Sequence, residues 1–222
     1  MNGDSAASQT SYGAEVVRKG IHLFSLSIPI IYYFLSKETA LAILLPLTAF
    51  FVANDLARLY VKPFGRFYEA LFGSILRSHE RNDRGRRLTG ASYVLISATL
   101  CLWLFPKVVF LTAFAILIVS DSAAALVGRR LGRRPFLAKS LEGTTAFFVS
   151  ALIVVGLAPK VVYSPAEYLI GAVAALLGAV VEAAPQAVDD NLAIPLAIGT
   201  FLWLLYAVFL PGVNIYALDG LR

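Results

Sequence analysis

The run Ser120-Asp121-Ser122-Ala123-Ala124-Ala125-Leu126-Val127-Gly128-Arg129-Arg130-Leu131-Gly132-Arg133-Arg134, followed by Lys139-Ser140-Leu141-Glu142-Gly143-Thr144, sets carboxylates, glycines and five cations at the edge of a long apolar segment. A carboxylate in hydrocarbon costs about 2.5 to 3.5 kcal/mol at a helix centre on insertion scales, so an intramembrane Asp is a functional hypothesis by default. Asp121, Ala124, Ala125 and Gly128 share one helical face, and a stripe of small residues leaves room for a neighbouring backbone or a ligand. The competing use of Asp121, a hydrogen bond to a neighbouring helix, is worth about 0.6 kcal/mol on average. Carboxylate, space and cations together predict a metal-phosphate pocket.

Gly128 and Gly132 flank Arg129 and Arg130, with Arg133 just beyond. In a turn, such glycines let backbone N–H groups approach phosphate oxygens while guanidinium forks bind them. The pattern is not a Walker A loop, and retention of cations on the cytosolic side also accounts for the arginines. Lys139 to Thr145 opens the next apolar segment, and the free N–H groups of a helix start favour an anion there. Glu142 suits a phosphate site if a divalent cation bridges them, because magnesium takes one or two carboxylates together with phosphate oxygens. Glu182, Asp189 and Asp190 add three carboxylates around the turn forced by Pro185. They form either a solvated acidic loop or a second wall on which Asp190 faces the pocket and Asn191 caps the following helix. His22 and His79 are isolated histidines, more often structural than basic catalysts, and no His/Cys cluster has zinc spacing.

These groups must be positioned by membrane helices. With 59% hydrophobic and 15% charged residues in 222 and a mean hydropathy of +0.75, the chain is too apolar for a soluble domain. Apolar stretches at 21–35, 40–53, 88–105, 108–127, 144–158, 166–181 and 192–210 predict an all-α polytopic bundle of about seven spans. Several are shorter than the roughly 20 residues that cross about 30 Å of hydrocarbon and need polar extensions. Continuous apolarity excludes a transmembrane barrel. Of the 19 cations, 15 fall on one side and four (Lys37, Lys107, Lys160, Arg222) on the other, which predicts a cytosolic N-terminus and an external C-terminus. Residues 1–14 read as a polar tail without a removable signal, 15–210 as one transmembrane catalytic domain, and 211–222 as an extracytosolic tail. The lone Cys101 allows no internal disulfide.

Asn54, Asp55, Asp121, Glu142, Glu182, Asp189, Asp190 and Asn191 fall on the same cytosolic rim. Across 55–88, Leu56, Leu59, Tyr60, Phe64, Phe67, Tyr68, Leu71 and Phe72 recur at three-and-four spacing opposite Arg58, Lys62, Arg66 and Glu69. That spacing predicts an interfacial amphipathic helix, broken at Pro63, leading into a basic loop. Such a surface suits lipid headgroups and a nucleoside triphosphate; nothing in it points to nucleic acid.

Arg18-Lys19-Gly20-Ile21-His22-Leu23, Asn54-Asp55-Leu56-Ala57-Arg58-Leu59, Leu88-Thr89-Gly90-Ala91-Ser92-Tyr93, Ser120-Asp121-Ser122, Lys139-Ser140-Leu141-Glu142-Gly143-Thr144 and Val181-Glu182-Ala183 through Asp189-Asp190-Asn191 resemble, in order, the polyprenol kinase family. That family includes dolichol, phytol and farnesol kinases and a CTP-dependent diacylglycerol kinase. The resemblance implies transfer of the γ-phosphate of CTP to a membrane isoprenoid alcohol or diacylglycerol, with Mg2+ or Mn2+. It implies catalytic roles for Asp121, Lys139, Glu142, Glu182 and Asp190, and metal ligation by Asp121, Glu142, Asp189 and Asp190. Nucleotide contacts would come from the 128–143 loop and its flanks, through Ser122, Gly128, Arg129, Arg133, Lys139, Ser140, Gly143 and Thr144. Asn54, Asp55, Arg58 and His22 would face the lipid substrate, and Asp190, Glu182 or Asp55 would take its hydroxyl proton. The central block is also similar to phosphatidate cytidylyltransferases, although Glu182 to Asn191 lacks the histidine-rich C-terminal signature of those enzymes. A transporter or lipid-binding scaffold is the non-enzymatic alternative, with no internal repeat to support it.

Overall fold

The computed structural model describes residues 12–72, 88–185 and 188–220. The helices are α1 (Tyr12–Phe24), α2 (Ser27–Tyr33), α3 (Lys37–Tyr60), α4 (Lys62–Phe72), α5 (Gly90–Leu104), α6 (Lys107–Leu131), α7 (Leu141–Leu157), α8 (Pro165–Ala183) and α9 (Asp190–Phe209). Between α6 and α7 lies a two-stranded antiparallel hairpin, β1 (Pro135–Phe136) and β2 (Lys139–Ser140), with Pro135 opposite Ser140. The molecule is therefore a helical bundle. α3, α6, α8 and α9 are long and apolar enough to cross a membrane; α5 and α7 are apolar but shorter.

α6 is the axis. Its side chains are buried almost without break from Lys107 to Ile118 and again at Ser120, Asp121, Ser122 and Ala124. It packs most extensively on α7, and also on α1, α2, α5 and α9. A helix apolar all round belongs in the middle of such a bundle, and Phe110, Phe114, Ile116, Leu117 and Ile118 form the core here with Phe147, Ile194 and Ile198.

Two expectations about the elements are corrected. The first apolar stretch, 21–35, is not one helix: α1 ends at Phe24 and α2 begins at Ser27. Pro29, in the first turn of α2, has no N–H and cannot accommodate the carbonyl a turn earlier, so the ladder breaks there. The amphipathic segment begins later than residue 55. Residues 55–60 are the last turns of α3, Val61 is extended, and α4 starts at Lys62 with Pro63 in its first turn. α4 has no buried residue and packs on α3. The expected basic loop with Arg77, His79, Arg81, Arg84, Arg86 and Arg87 lies outside the described residues, as do residues 1–11 of the polar tail.

The two ends of the bundle differ. At one end, Lys107 and Lys160 are buried and donate to main-chain oxygens, Lys107 Nζ to Leu35 at 2.9 Å and Lys160 Nζ to Val155 at 2.6 Å. Glu167 accepts there from Val161 N–H at 2.8 Å and Tyr206 O–H at 2.9 Å. These groups are mutually satisfied and close the end structurally. Toward the same end, a cavity of about 360 Å3 with an almost entirely apolar lining lies between α2, α6 and the end of α7. Ionisable groups facing a cavity occur at the opposite end.

Candidate functional site

Four residues of α1 share one face at positions i, i+3, i+4 and i+7: Glu15, Arg18, Lys19 and His22. That face lies on Asp121, Ala125 and Arg129 of α6. Lys19 Nζ donates to Asp121 Oδ2, His22 Nε2 stands 3.6 Å from the same oxygen, and Arg129 Nη2 is 2.9 Å from Glu15 Oε2. Arg18 also pairs with Glu15. Glu15, Lys19 and Asp121 are all buried, where a carboxylate or ammonium is tolerated only when paired.

The second wall is built by the hairpin. Ala138 N–H donates to Ala183 O at 2.9 Å, docking the turn on the last residue of α8. Leu137, at the turn, holds φ of 50°, a left-handed conformation disfavoured for a branched side chain and of a kind concentrated at functional sites. The docked turn delivers Lys139 Nζ to Glu182 Oε1 at 2.7 Å and Asp190 Oδ2 at 2.9 Å. Burial opposes the ammonium charge, but Asp190 and Glu182 outweigh it and hold the Lys139 pKa above its ordinary value. The contribution of the Lys139 charge to stability is thus present below the ordinary lysine pKa while its carboxylate partners stay ionised, and is lost as pH rises through the raised one. Glu182 Oε2 is buried without a hydrogen-bond partner among the described residues.

Between the walls lies a cavity of about 330 Å3 lined by Glu15, Arg18, Lys19, Asp121, Arg129, Lys139, Glu182 and Asp190, together with Ala124, Ala125, Gly128, Ser140 and Gly143. Its floor is a close crossing of α6 and α7. A methyl at Gly143 would stand 3.1 Å from Ala124 O and 3.2 Å from Gly128 Cα. Gly143→Val therefore overpacks the crossing, and we expect it to cost about 1 to 3 kcal/mol, read as a lower thermal unfolding midpoint of the purified protein. An unchanged midpoint would show that the crossing yields freely.

Of the residues expected from sequence, the structure brings Asp121, Gly128, Arg129, Lys139, Ser140, Gly143, Glu182 and Asp190 to the cavity, with His22 against Asp121. It does not bring Glu142, Asp189, Arg133, Ser122 or Thr144 there. Glu142 accepts from the N–H groups of Arg133 at 3.1 Å and Arg134 at 3.3 Å, pinning the end of α6 to the start of α7. Asp189 is the N-cap of α9, accepting from Asn191 N–H at 3.0 Å. Ser122 Oγ donates to Ile118 O at 2.7 Å, and Thr144 is buried. Asn54 Nδ2 donates to Phe50 O at 2.8 Å. Asp55 accepts from Thr89 N–H at 2.7 Å and pairs with Arg58, latching the end of α3 to the start of α5.

The glycine reading is also corrected. Gly128 lies inside α6, which continues to Leu131, and Gly132 N–H donates to Gly128 O at 3.0 Å. Both amides lie in helical hydrogen bonding, and the space left by Gly128 serves packing against α7. Glu15, Arg18 and Lys19 are the charged site residues that motif reasoning did not assign, although their shared face with His22 is a readable signal. Among the described residues no three carboxylates, histidines or thiols are arranged to hold a metal ion by themselves. Asp121 instead faces Lys19, and Glu182 and Asp190 face Lys139.

No family model matches the chain, and no solved structure matches it. It is 30% identical over 185 residues to Uncharacterized protein RP860 of Rickettsia prowazekii (strain Madrid E), an alignment covering 82% of this chain and 90% of that protein. At that identity and coverage the chain belongs to the same family as the rickettsial protein.

Proposed function

We propose that the protein is a CTP-dependent lipid-alcohol kinase, transferring the γ-phosphate of the nucleotide to an isoprenoid alcohol or diacylglycerol at the membrane surface. The observation that carries this reading is the cavity itself. Four cations, Arg18, Lys19, Arg129 and Lys139, interleave there with four carboxylates, Glu15, Asp121, Glu182 and Asp190, at one end of the helical bundle. A triphosphate needs the cations, its metal needs the carboxylates, and a lipid alcohol needs the membrane. The preference for cytidine comes from the family resemblance alone. In this reading the site end of the bundle faces the cytosol. α3, α5, α6, α7, α8 and α9 make six crossings, and the broken α1–α2 pair makes the seventh.

Magnesium or manganese, bound with the nucleotide, would neutralise the triphosphate, and Asp121, Glu182 and Asp190 would hold it. The partnerless Glu182 oxygen fits that role, and so does the habit of magnesium of taking one or two carboxylates plus phosphate oxygens. Lys19 and Lys139 turn from these carboxylates to the phosphates, stabilising charge on the transferred group and the leaving diphosphate. The lipid oxygen bonds to the γ-phosphorus, the bridging bond to the β-phosphate breaks, and the nucleoside diphosphate leaves. Glu182 or Asp190 takes the hydroxyl proton, since Asp55 is committed to Thr89 outside the cavity.

The test incubates purified protein with CTP labelled at the α or the γ phosphate and phytol, geranylgeraniol, long polyprenol, diacylglycerol or phosphatidate. Label reaching the lipid from γ alone is the expected result. Label from α with cytidine attached would make the protein a cytidylyltransferase, and no transfer from either position would favour a transporter or scaffold.

A further inference from the structure

We propose that Glu15 is a positioning residue that holds Arg18 and Arg129 together as a guanidinium clamp for an oligophosphate, on the α1 side of the cavity. The inference rests on the nucleotide reading above and adds to it where the phosphate chain lies and what aligns it. Glu15 sits in the first turn of an amphipathic helix, yet its side chain is 0% exposed. Each of its oxygens meets a different guanidinium: Oε1 pairs with Arg18 of the same helix, and Oε2 stands 2.9 Å from Arg129 Nη2 across the interface.

Two guanidiniums brought side by side repel one another, and the buried carboxylate between them removes that repulsion. Its contact with Arg129 is an ion pair rather than an aligned hydrogen bond, so what it holds is the separation of the two guanidiniums. A guanidinium carries five N–H donors in a rigid fork, and Glu15 takes only part of each. Both line the cavity, and their side chains are 20% and 39% exposed. Lys19, one turn after Glu15, joins them on the same face, and Lys139 stands on the opposite wall. Cations distributed this way match a chain of phosphates better than a single one, because planar forks bind phosphate oxygens in pairs. Glu15 adds a negative charge that balances one of the four cations of the cavity, so it contributes geometry at the expense of bulk attraction. That opposition of signs makes the role measurable.

The experiment measures binding of inorganic triphosphate and of orthophosphate, each with Mg2+, to the full-length protein by titration calorimetry. Glu15→Gln keeps the side-chain shape and removes the charge. We expect its triphosphate affinity to fall about tenfold, the weight of one lost charge-assisted contact, while orthophosphate affinity holds or rises. Arg129→Lys, at the exposed end of α6, keeps the charge and loses the fork, and should show the same selective fall. Glu15→Gln added to Arg129→Gln should have no further effect. Triphosphate and orthophosphate tightening together in Glu15→Gln, or independent additive effects in the double variant, would overturn the clamp alone. A wild-type protein that binds neither anion would overturn the nucleotide reading and the clamp with it.

Discussion

Asp121→Asn is expected to abolish phosphoryl transfer while the protein still inserts into membranes. Asparagine preserves the volume at a 7% exposed position but cannot balance Lys19 or join in holding a metal. Removal of one preorganised charge-stabilising group commonly costs about 100- to 1,000-fold in turnover, and this group serves two partners. The substitution also strands the Lys19 ammonium, whose side chain is 4% exposed. Breaking a buried pair from one side costs about 3 to 5 kcal/mol, so inactivity by itself would be ambiguous. Pairing Asp121→Asn with Lys19→Met removes both charges, and stability should return while activity does not. If stability and activity return together, Asp121 is a structural partner of Lys19 and the metal role is lost. If the single variant turns over normally, the site is elsewhere.

The second large effect is expected at Lys139. Its ammonium is 2.7 Å from Glu182 and 2.9 Å from Asp190, the place a divalent cation would take between two carboxylates. Lys139→Met should lower turnover by about 100- to 1,000-fold through loss of charge at the phosphates. The same change should create nucleotide-independent binding of Mn2+, because Glu182 and Asp190 then face one another without a counter-ion. Electron paramagnetic resonance of Mn2+ titrated into wild type and variant reads this directly. An active Lys139→Met, or one that binds no more Mn2+ than wild type, would remove the lysine from the mechanism. It would also end the view that the lysine holds the metal's place.

The charged wall from Asp121 to Lys139 was legible because a carboxylate in an apolar run is expensive and its neighbours were small. The helical bundle was legible from continuous apolarity. An acid at a helix start, such as Glu142, can serve a metal or accept from the amides of the loop before it, and spacing does not distinguish the two. In the folded chain Glu142 accepts from the backbone amides of Arg133 and Arg134. Asp189 was likewise consumed as an N-cap, leaving Asp190, one residue on, to reach Lys139. The glycines at 128 and 132 were expected to open a phosphate-binding turn, yet α6 runs through to Leu131. Helix propagation and packing against α7 claimed them first.

From the sequence alone come the helical class with apolar segments fit for a membrane and the gathering of acidic and basic groups near the same ends of those segments. These depend on composition and local periodicity, which the chain carries within each segment. Which acids meet which cations was decided only by tertiary packing. The stripe Glu15, Arg18, Lys19 and His22 specifies a polar face on α1, but periodicity cannot name the helix that covers it. The crossing with α6 places Glu15 on Arg129 and Lys19 on Asp121, and docking of the hairpin on Ala183 carries Lys139 to Glu182 and Asp190. Burial then makes each pairing obligatory, since a charge left unpaired inside the bundle would cost more than any alternative local arrangement recovers.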